Sequence, residues 1–213
     1  MAAALIIAGS YVAGAVPIAY LAGRLLRGVD IRRYGSGNIG PSNLWQNVSK
    51  PATVPVGLLE IGQGLAGILI AKAADQGLGV QVAAGLAALA GHNWSPFIGF
   101  YGGRGVAHAI GFMLVLSWPG LGAFIGVSLA GVALRAVPQL VGLGILATPF
   151  VAIAAGQSKE IVAGLGGMAA LIFAKRLLGN ELSLPAPSVL LNRLLYDRDT
   201  RERERWVRGE RSR

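Results

Sequence analysis

Cysteine is absent from the 213 residues. That excludes a disulfide framework, a thiolate nucleophile and cysteine-ligated metal. Histidine is nearly absent too: His92 and His108 are the only two, too few for an obvious metal site, and no metal or other cofactor is expected. Charge is scarce, at 14% of residues against about 25% in a soluble domain. From Pro51 to Ala174 the only charged residues are Glu60, Lys72, Asp75, Arg104, Arg135, Lys159 and Glu160. A soluble all-helical core is a poor account of that stretch, because its apolar runs lack a polar face.

What is present is apolar: 54% hydrophobic residues and a mean hydropathy of +0.58. The runs between charges reach the length of a membrane span. Seven can be marked: Ala2–Leu25, Thr53–Ala74, Gly79–Gly91, Val106–Trp118, Gly120–Leu134, Val137–Gly156 and Ile161–Ala174. The third and fourth are short and imply tilted or broken helices, or a thinned bilayer. The expected fold is an all-α integral membrane protein of about seven transmembrane helices. The first run lacks a basic n-region and a convincing small-residue cleavage site, and is read as a retained span rather than a cleaved signal peptide. The 32 glycines suit close helix packing in lipid, and Gly122, Gly126, Gly131, Gly142 and Gly144 are candidates for such contacts.

Orientation follows from the basic residues. With the N-terminus outside, the segments Arg24–Lys50 and Asn93–Gly105, the turn at Arg135 and the C-terminal tail lie in the cytoplasm. They hold all Lys and Arg residues except Lys72 and Lys159. The net charge of +9 is thereby explained by topology, and no recognition motif accompanies it to suggest nucleic acid. The expected division is a multi-span domain over residues 1–182 and a mixed-charge tail over 183–213. Within the tail, Val189 to Leu195 is apolar with one arginine. It reads either as an amphipathic helix on the inner surface or as a solvated tail.

Three polar stretches interrupt the apolar background, all on the predicted inner face. The first runs Arg32-Arg33-Tyr34-Gly35-Ser36-Gly37-Asn38-Ile39-Gly40-Pro41-Ser42-Asn43. Its glycines permit backbone amides to converge on an anion, and Ser36, Asn38, Ser42 and Asn43 add neutral donors. The second starts at Gly91-His92-Asn93-Trp94-Ser95-Pro96-Phe97 and continues to Gly102-Gly103-Arg104-Gly105. A flexible backbone, a fixed cation and a following helix N-terminus are the parts of a phosphate cradle. The third is Lys175-Arg176-Leu177-Leu178-Gly179-Asn180-Glu181. Taken singly, each reads equally as a tight turn or a topology anchor; their shared face favours one polar site. A transport role lacks the usual charged pair at a span midplane, and Glu60 is the one candidate there.

In order and spacing these motifs (GSGNIGPSN, GHNWSPF with FYGGRGVA, and RLLGNE) resemble those of the bacterial acyl-phosphate:glycerol-3-phosphate acyltransferases, the PlsY family. The resemblance runs from about Tyr11 to Glu181. It implies a seven-span inner-membrane enzyme that moves a fatty acyl group from acyl phosphate to the 1-hydroxyl of glycerol 3-phosphate, giving lysophosphatidic acid. By resemblance Ser36 and Asn38 contact reacting or phosphate oxygens, with Gly35, Gly37, Gly40, Ser42 and Asn43 around them. Arg104 and the amides of Gly102, Gly103 and Gly105 hold a phosphate, Arg176 adds a cation, and His92 and Asn93 shape the pocket. His92 as general base stands as the alternative to that structural role. The chain departs from the family pattern at Gln46, where an arginine is usual, and at Gln63, usually lysine. Tyr101, Ala170 and Phe173 replace further cationic or polar residues. A catalytically degenerate paralogue that binds lipid or phosphate, or uses another acceptor, is therefore the alternative function. Oligomeric state is not legible.

Overall fold

The computed structural model describes residues 1–34, 37–180 and 186–199. Those residues form α-helices and two short 3-10 turns, Ile31–Arg33 and Pro96–Ile98, with no strand among them. The helices are α1 (Ala2–Ala15), α2 (Ile18–Arg27), α3 (Pro41–Asn47), α4 (Lys50–Ala73), α5 (Leu78–Asn93), α6 (Val106–Leu116), α7 (Trp118–Ala133), α8 (Val137–Ala154), α9 (Lys159–Leu178) and α10 (Pro187–Tyr196). Four stretches are long and apolar enough to cross a membrane: Ala2–Arg27, Lys50–Ala73, Val137–Ala154 and Lys159–Leu178. Large apolar side chains such as Leu5, Leu58, Phe150 and Ile153 point outward from them, as a lipid-facing surface requires.

Helix ends follow local chemistry. Ser49 caps α4 by accepting from the Ala52 amide at 3.3 Å, and Ser117 caps α7 through the Gly120 amide at 3.2 Å. In both a proline follows in the first turn, where its missing N–H costs nothing. The first apolar run is not one helix, because Pro17 cannot continue the ladder. The carbonyls freed near the break are taken up by side chains from α4 and from the loop after α5. Gln63 of α4 donates to the oxygens of Ala13 (2.7 Å) and Val16 (3.1 Å), and the Ser95 hydroxyl donates to Ala15 at 2.6 Å. Irregular backbone among membrane spans requires such protein partners. Gln63, which departs from the family pattern, thus has a structural task.

Packing depends on close backbone approach. A Cβ at Gly91 would strike the Tyr11 carbonyl, and one at Gly14 the Ala88 backbone, so α1 and α5 cross nearly in contact. Gly64 and Gly111 play the same part between α4 and α6. Of the glycines expected to line helix contacts, Gly131, Gly142 and Gly144 do, whereas Gly122 and Gly126 face nothing within 4 Å. The main core, including Ile68, Leu89, Phe112, Met113, Leu165 and Met168, fills the space between α4, α5, α6 and α9. A second cluster of Ala19, Ile31, Ile39, Leu44, Val48 and Val56 holds the first polar loop against the bundle. At 11 residues α6 rises about 16 Å, half the hydrocarbon thickness.

Candidate active site

The polar loops meet at the basic end of the bundle. The second loop is closed by Ser95, whose amide donates to the Tyr101 carbonyl (3.1 Å) and whose carbonyl accepts from Phe100 (2.7 Å). The chain then turns back so that the Gly103 amide donates to the His92 carbonyl at 3.2 Å. Gly102 and Gly103 lie so close to the backbone of Asn93 and the ring of His92 that no side chain fits. Asn180, from the third motif, clasps this loop. Its oxygen accepts from the Gly102 amide (2.9 Å) and from Lys175 Nζ (2.7 Å), and its side-chain amide donates to the Gly102 carbonyl (3.2 Å).

Those bonds correct part of the expected cradle. The amides of Gly102 and Gly103 are spent inside the protein and cannot hold a phosphate. The available donors are one step further along. Gly105, at φ +77°, turns the chain into α6. The first intrahelical bond there runs from the Ala109 amide to the Gly105 carbonyl, so the amides of Val106, Ala107 and His108 precede the ladder. Gly105, Val106 and Ala107 line a cavity of about 130 Å³, together with Asn38, Gly40, Pro41, Ser42, Glu60, His92, Arg104 and Asp197. A helix N-terminus, a guanidinium and neutral side-chain donors around one cavity are the components from which anion sites are built.

Two other candidates are structural. The buried Asn43 amide donates to the carbonyls of Ile31 (2.9 Å), Tyr34 (3.1 Å) and Asn38 (2.8 Å), and its oxygen accepts from Asn47 at 2.7 Å. It knots the first loop rather than lining the cavity. Asn93, wholly buried, donates to the Leu171 carbonyl at 3.2 Å and ties α5 to α9. Gly37 is buried at φ +68° and shapes the loop, while Gly35 and Ser36 lie outside the described residues.

The departures from the family pattern also find places. Gln46 is exposed and lines a separate surface cavity with Arg27 and Lys50. The Tyr101 ring lies 5.3 Å from the Arg32 guanidinium, and Phe173 lies 5.7 Å from that of Arg176. Ala170 is exposed on α9.

Sequence reading missed two acids as site residues. Glu60, 1% exposed, lines the cavity with neither carboxylate oxygen in a hydrogen bond of good geometry. Its signal was present, a lone carboxylate in an apolar span. It groups with His92 and His108, their ligand-type atoms within 4.8 Å of one another and the imidazole centroids 4.2 Å apart. The donor set would suit a metal. Neither His108 nitrogen has a hydrogen-bond partner, however, and ligating imidazoles are normally oriented by one, so the group reads better as a buried polar cluster. The second missed acid is Asp197, beyond the third motif. Its Oδ1 lies 2.6 Å from Arg104 Nε and 3.2 Å from Arg176 Nε. Nothing in the sequence marks that contact.

These features define a polytopic membrane protein with a polar cavity at one end of its bundle. The family described as glycerol-3-phosphate acyltransferase matches residues 4–179. Glycerol-3-phosphate acyltransferase 5 of Dehalococcoides mccartyi is 36% identical over 208 residues, covering 92% of this chain and 89% of its own. The glycerol-3-phosphate acyltransferase of a Synechococcus species is 39% identical over 160 residues, 75% of this chain and 80% of its own. The crystal structure of PlsY (YgiH), an integral membrane glycerol 3-phosphate acyltransferase in its glycerol 3-phosphate form, superposes with a TM-score of 0.75. It is 27% identical, and the match covers 87% of this chain and 96% of that one. The chain belongs to the glycerol-3-phosphate acyltransferase family.

Proposed function

We propose that this chain transfers a fatty acyl group from acyl phosphate to glycerol 3-phosphate at the cytoplasmic face of the bacterial inner membrane, supplying lysophosphatidic acid for phospholipid synthesis. The 1-hydroxyl oxygen forms the new ester bond to the acyl carbon, the bond from that carbon to the phosphate oxygen breaks, and the hydroxyl proton leaves on the released phosphate. The donor is already activated, so the protein's work is positioning and charge neutralisation. One observation carries the reading: the cavity joins the N-terminus of α6 and Arg104 to Asn38 and Ser42 of the first loop.

In this reading the α6 amides and Arg104 hold a phosphate, Arg176 lends a second positive charge, and Ser36, Asn38 and Ser42 approach the reacting or phosphate oxygens. His92 shapes the pocket. Seven crossings with the N-terminus outside put all three loops on the substrate side, and residues 1–182 form the catalytic unit with 183–213 as its tail. The test is purified protein with palmitoyl phosphate and labelled glycerol 3-phosphate. Lysophosphatidate should form, and Ser36→Ala and Arg104→Ala should each reduce it sharply. No product, together with failure to rescue a strain lacking its acyltransferase, would sink the proposal. The second reading, a paralogue that binds phosphate or lipid without this activity, is favoured by one contact: both cradle arginines lie against Asp197.

A further inference from the structure

That contact has a chemical logic. Arg104 and Arg176 come from different parts of the chain, the loop before α6 and the end of α9, yet their Nε atoms converge on one carboxylate oxygen. Arg104 Nη2 also donates to the Asp197 backbone carbonyl at 3.3 Å. The Arg176 side chain is buried and that of Arg104 half-buried, at 6% and 14% exposure, while Asp197 is 30% exposed. The acid therefore covers the guanidinia from the solvent side. The contact is one of charge more than of hydrogen bonding: neither Arg104 Nε nor Asp197 Oδ1 has an aligned hydrogen bond. Asp197 is put there by α10, whose last turn it ends at φ +55°, a conformation that a non-glycine residue adopts at some cost. Arg193 docks α10, donating to the carbonyls of Leu177 (3.0 Å) and Leu178 (3.1 Å).

We propose that Arg104 and Arg176 form one subsite for a phosphate monoester, and that Asp197 is the resident carboxylate that a ligand must displace to enter it. The proposal rests on the phosphate cradle described under Proposed function. Charge makes the displacement selective. One carboxylate neutralises one of two guanidinia; a phosphate monoester, close to doubly charged at neutral pH, neutralises both and offers three acceptor oxygens to planar donors. A simple carboxylate brings no more charge than Asp197 already supplies, so it does not displace it. Asp197 is thus a specificity-determining residue contributed from beyond the matched residues 4–179.

The experiment measures inorganic phosphate and acetate binding to the full-length protein, with the KM for glycerol 3-phosphate alongside. Asp197→Asn keeps the size and tolerates a left-handed backbone. It should tighten phosphate binding about three- to tenfold, the loss of one partly exposed ion pair. It should also admit acetate, so that the preference for phosphate shrinks, and lower the KM for glycerol 3-phosphate. Arg193→Gln, which loosens α10 but keeps the acid, should move phosphate binding in the same direction and serves if Asp197→Asn does not fold. Unchanged or weaker phosphate binding in these variants would overturn the inference and make Asp197 a residue that merely holds the arginines in place. Arg104→Ala separates this from the underlying reading. If it abolishes phosphate binding while Asp197→Asn has no effect, the cradle stands and the competitor role falls. If it binds phosphate as the wild type does, the cradle itself is wrong and the inference falls with it.

Discussion

Asp30 shows how one side chain orders the first loop. It caps the turn Ile31–Arg33 through the Arg32 amide (3.1 Å), and its carboxylate takes Arg32 at 2.7 Å and Arg24 at 3.3 Å. The hydrogen bond from the Arg32 side chain is the main reason its pKa falls to about 2, burial opposing it. A lowered carboxylate pKa stabilises the folded state above the unfolded value near 4 and loses that contribution as pH falls through about 2. Asp30→Asn should therefore lower the melting temperature in detergent at pH 7, and the gap from wild type should close as pH is taken from 4 towards 2. A gap independent of pH would rule out the ionised pair as its source. Asn43→Ala removes the donor to three backbone carbonyls. It should cost about 2–4 kcal/mol, more than one lost hydrogen bond because buried acceptors are left unpaired, and it should do so in thermal unfolding before any effect on substrate KM is considered. Arg104→Ala belongs to the opposite class: a charged hydrogen bond of about 1.5–3 kcal/mol predicts a loss of roughly 10- to 100-fold in kcat/KM with little change in melting temperature.

Among the elements, the apolar runs were legible because lipid permits few alternatives to a helix. Each run marked in the sequence contains a helix or, in the first, a broken pair. Less legible was how they meet. Gly122 and Gly126 read from sequence as packing glycines and meet nothing within 4 Å, whereas Gly91 and Gly64, which the sequence does not mark for packing, abut another backbone. Periodicity does not say which face of an all-apolar helix finds a neighbour. Gly91→Val should therefore separate α1 from α5 and lower the thermal midpoint in detergent by several degrees, the counterpart of about 1–3 kcal/mol of overpacking. Gly122→Val should leave it nearly unchanged. Equal effects would mean that the first helix does not sit against α5. The anion site was half legible for a related reason. Glycine-rich loops advertise free amides, but whether those amides are free depends on residues far along the chain. Asn180 takes the amide of Gly102 across 78 positions, and the donors shift to the start of α6.

For the whole molecule the number and direction of crossings decide which side the cavity faces, and the lack of cysteine makes them measurable. The helices alternate in direction: Ser117 bonds Gln157 at one end of the bundle, and Arg176 bonds the Pro138 carbonyl at the other. Among the described residues Arg24, Arg32, Arg104, Lys175, Arg176 and Arg193 gather at the second end, and basic loops stay in the cytoplasm. An odd number of crossings is the arrangement that puts the N-terminus outside and the substrate loops, with α10, inside. Single cysteines at exposed Arg33, Lys72 and Lys159 test it in intact cells with a membrane-impermeant maleimide. Lys72→Cys and Lys159→Cys should label from outside, while Arg33→Cys should label only after permeabilisation. The reverse pattern would place the cavity on the outer face, away from a cytoplasmic pool of glycerol 3-phosphate, and the proposed reaction could not run there. Labelling of Lys72→Cys but not Lys159→Cys would mean that the shorter helices α5, α6 and α7 do not complete three crossings between those points, and that the bundle's depth in the membrane is set by its four long stretches alone.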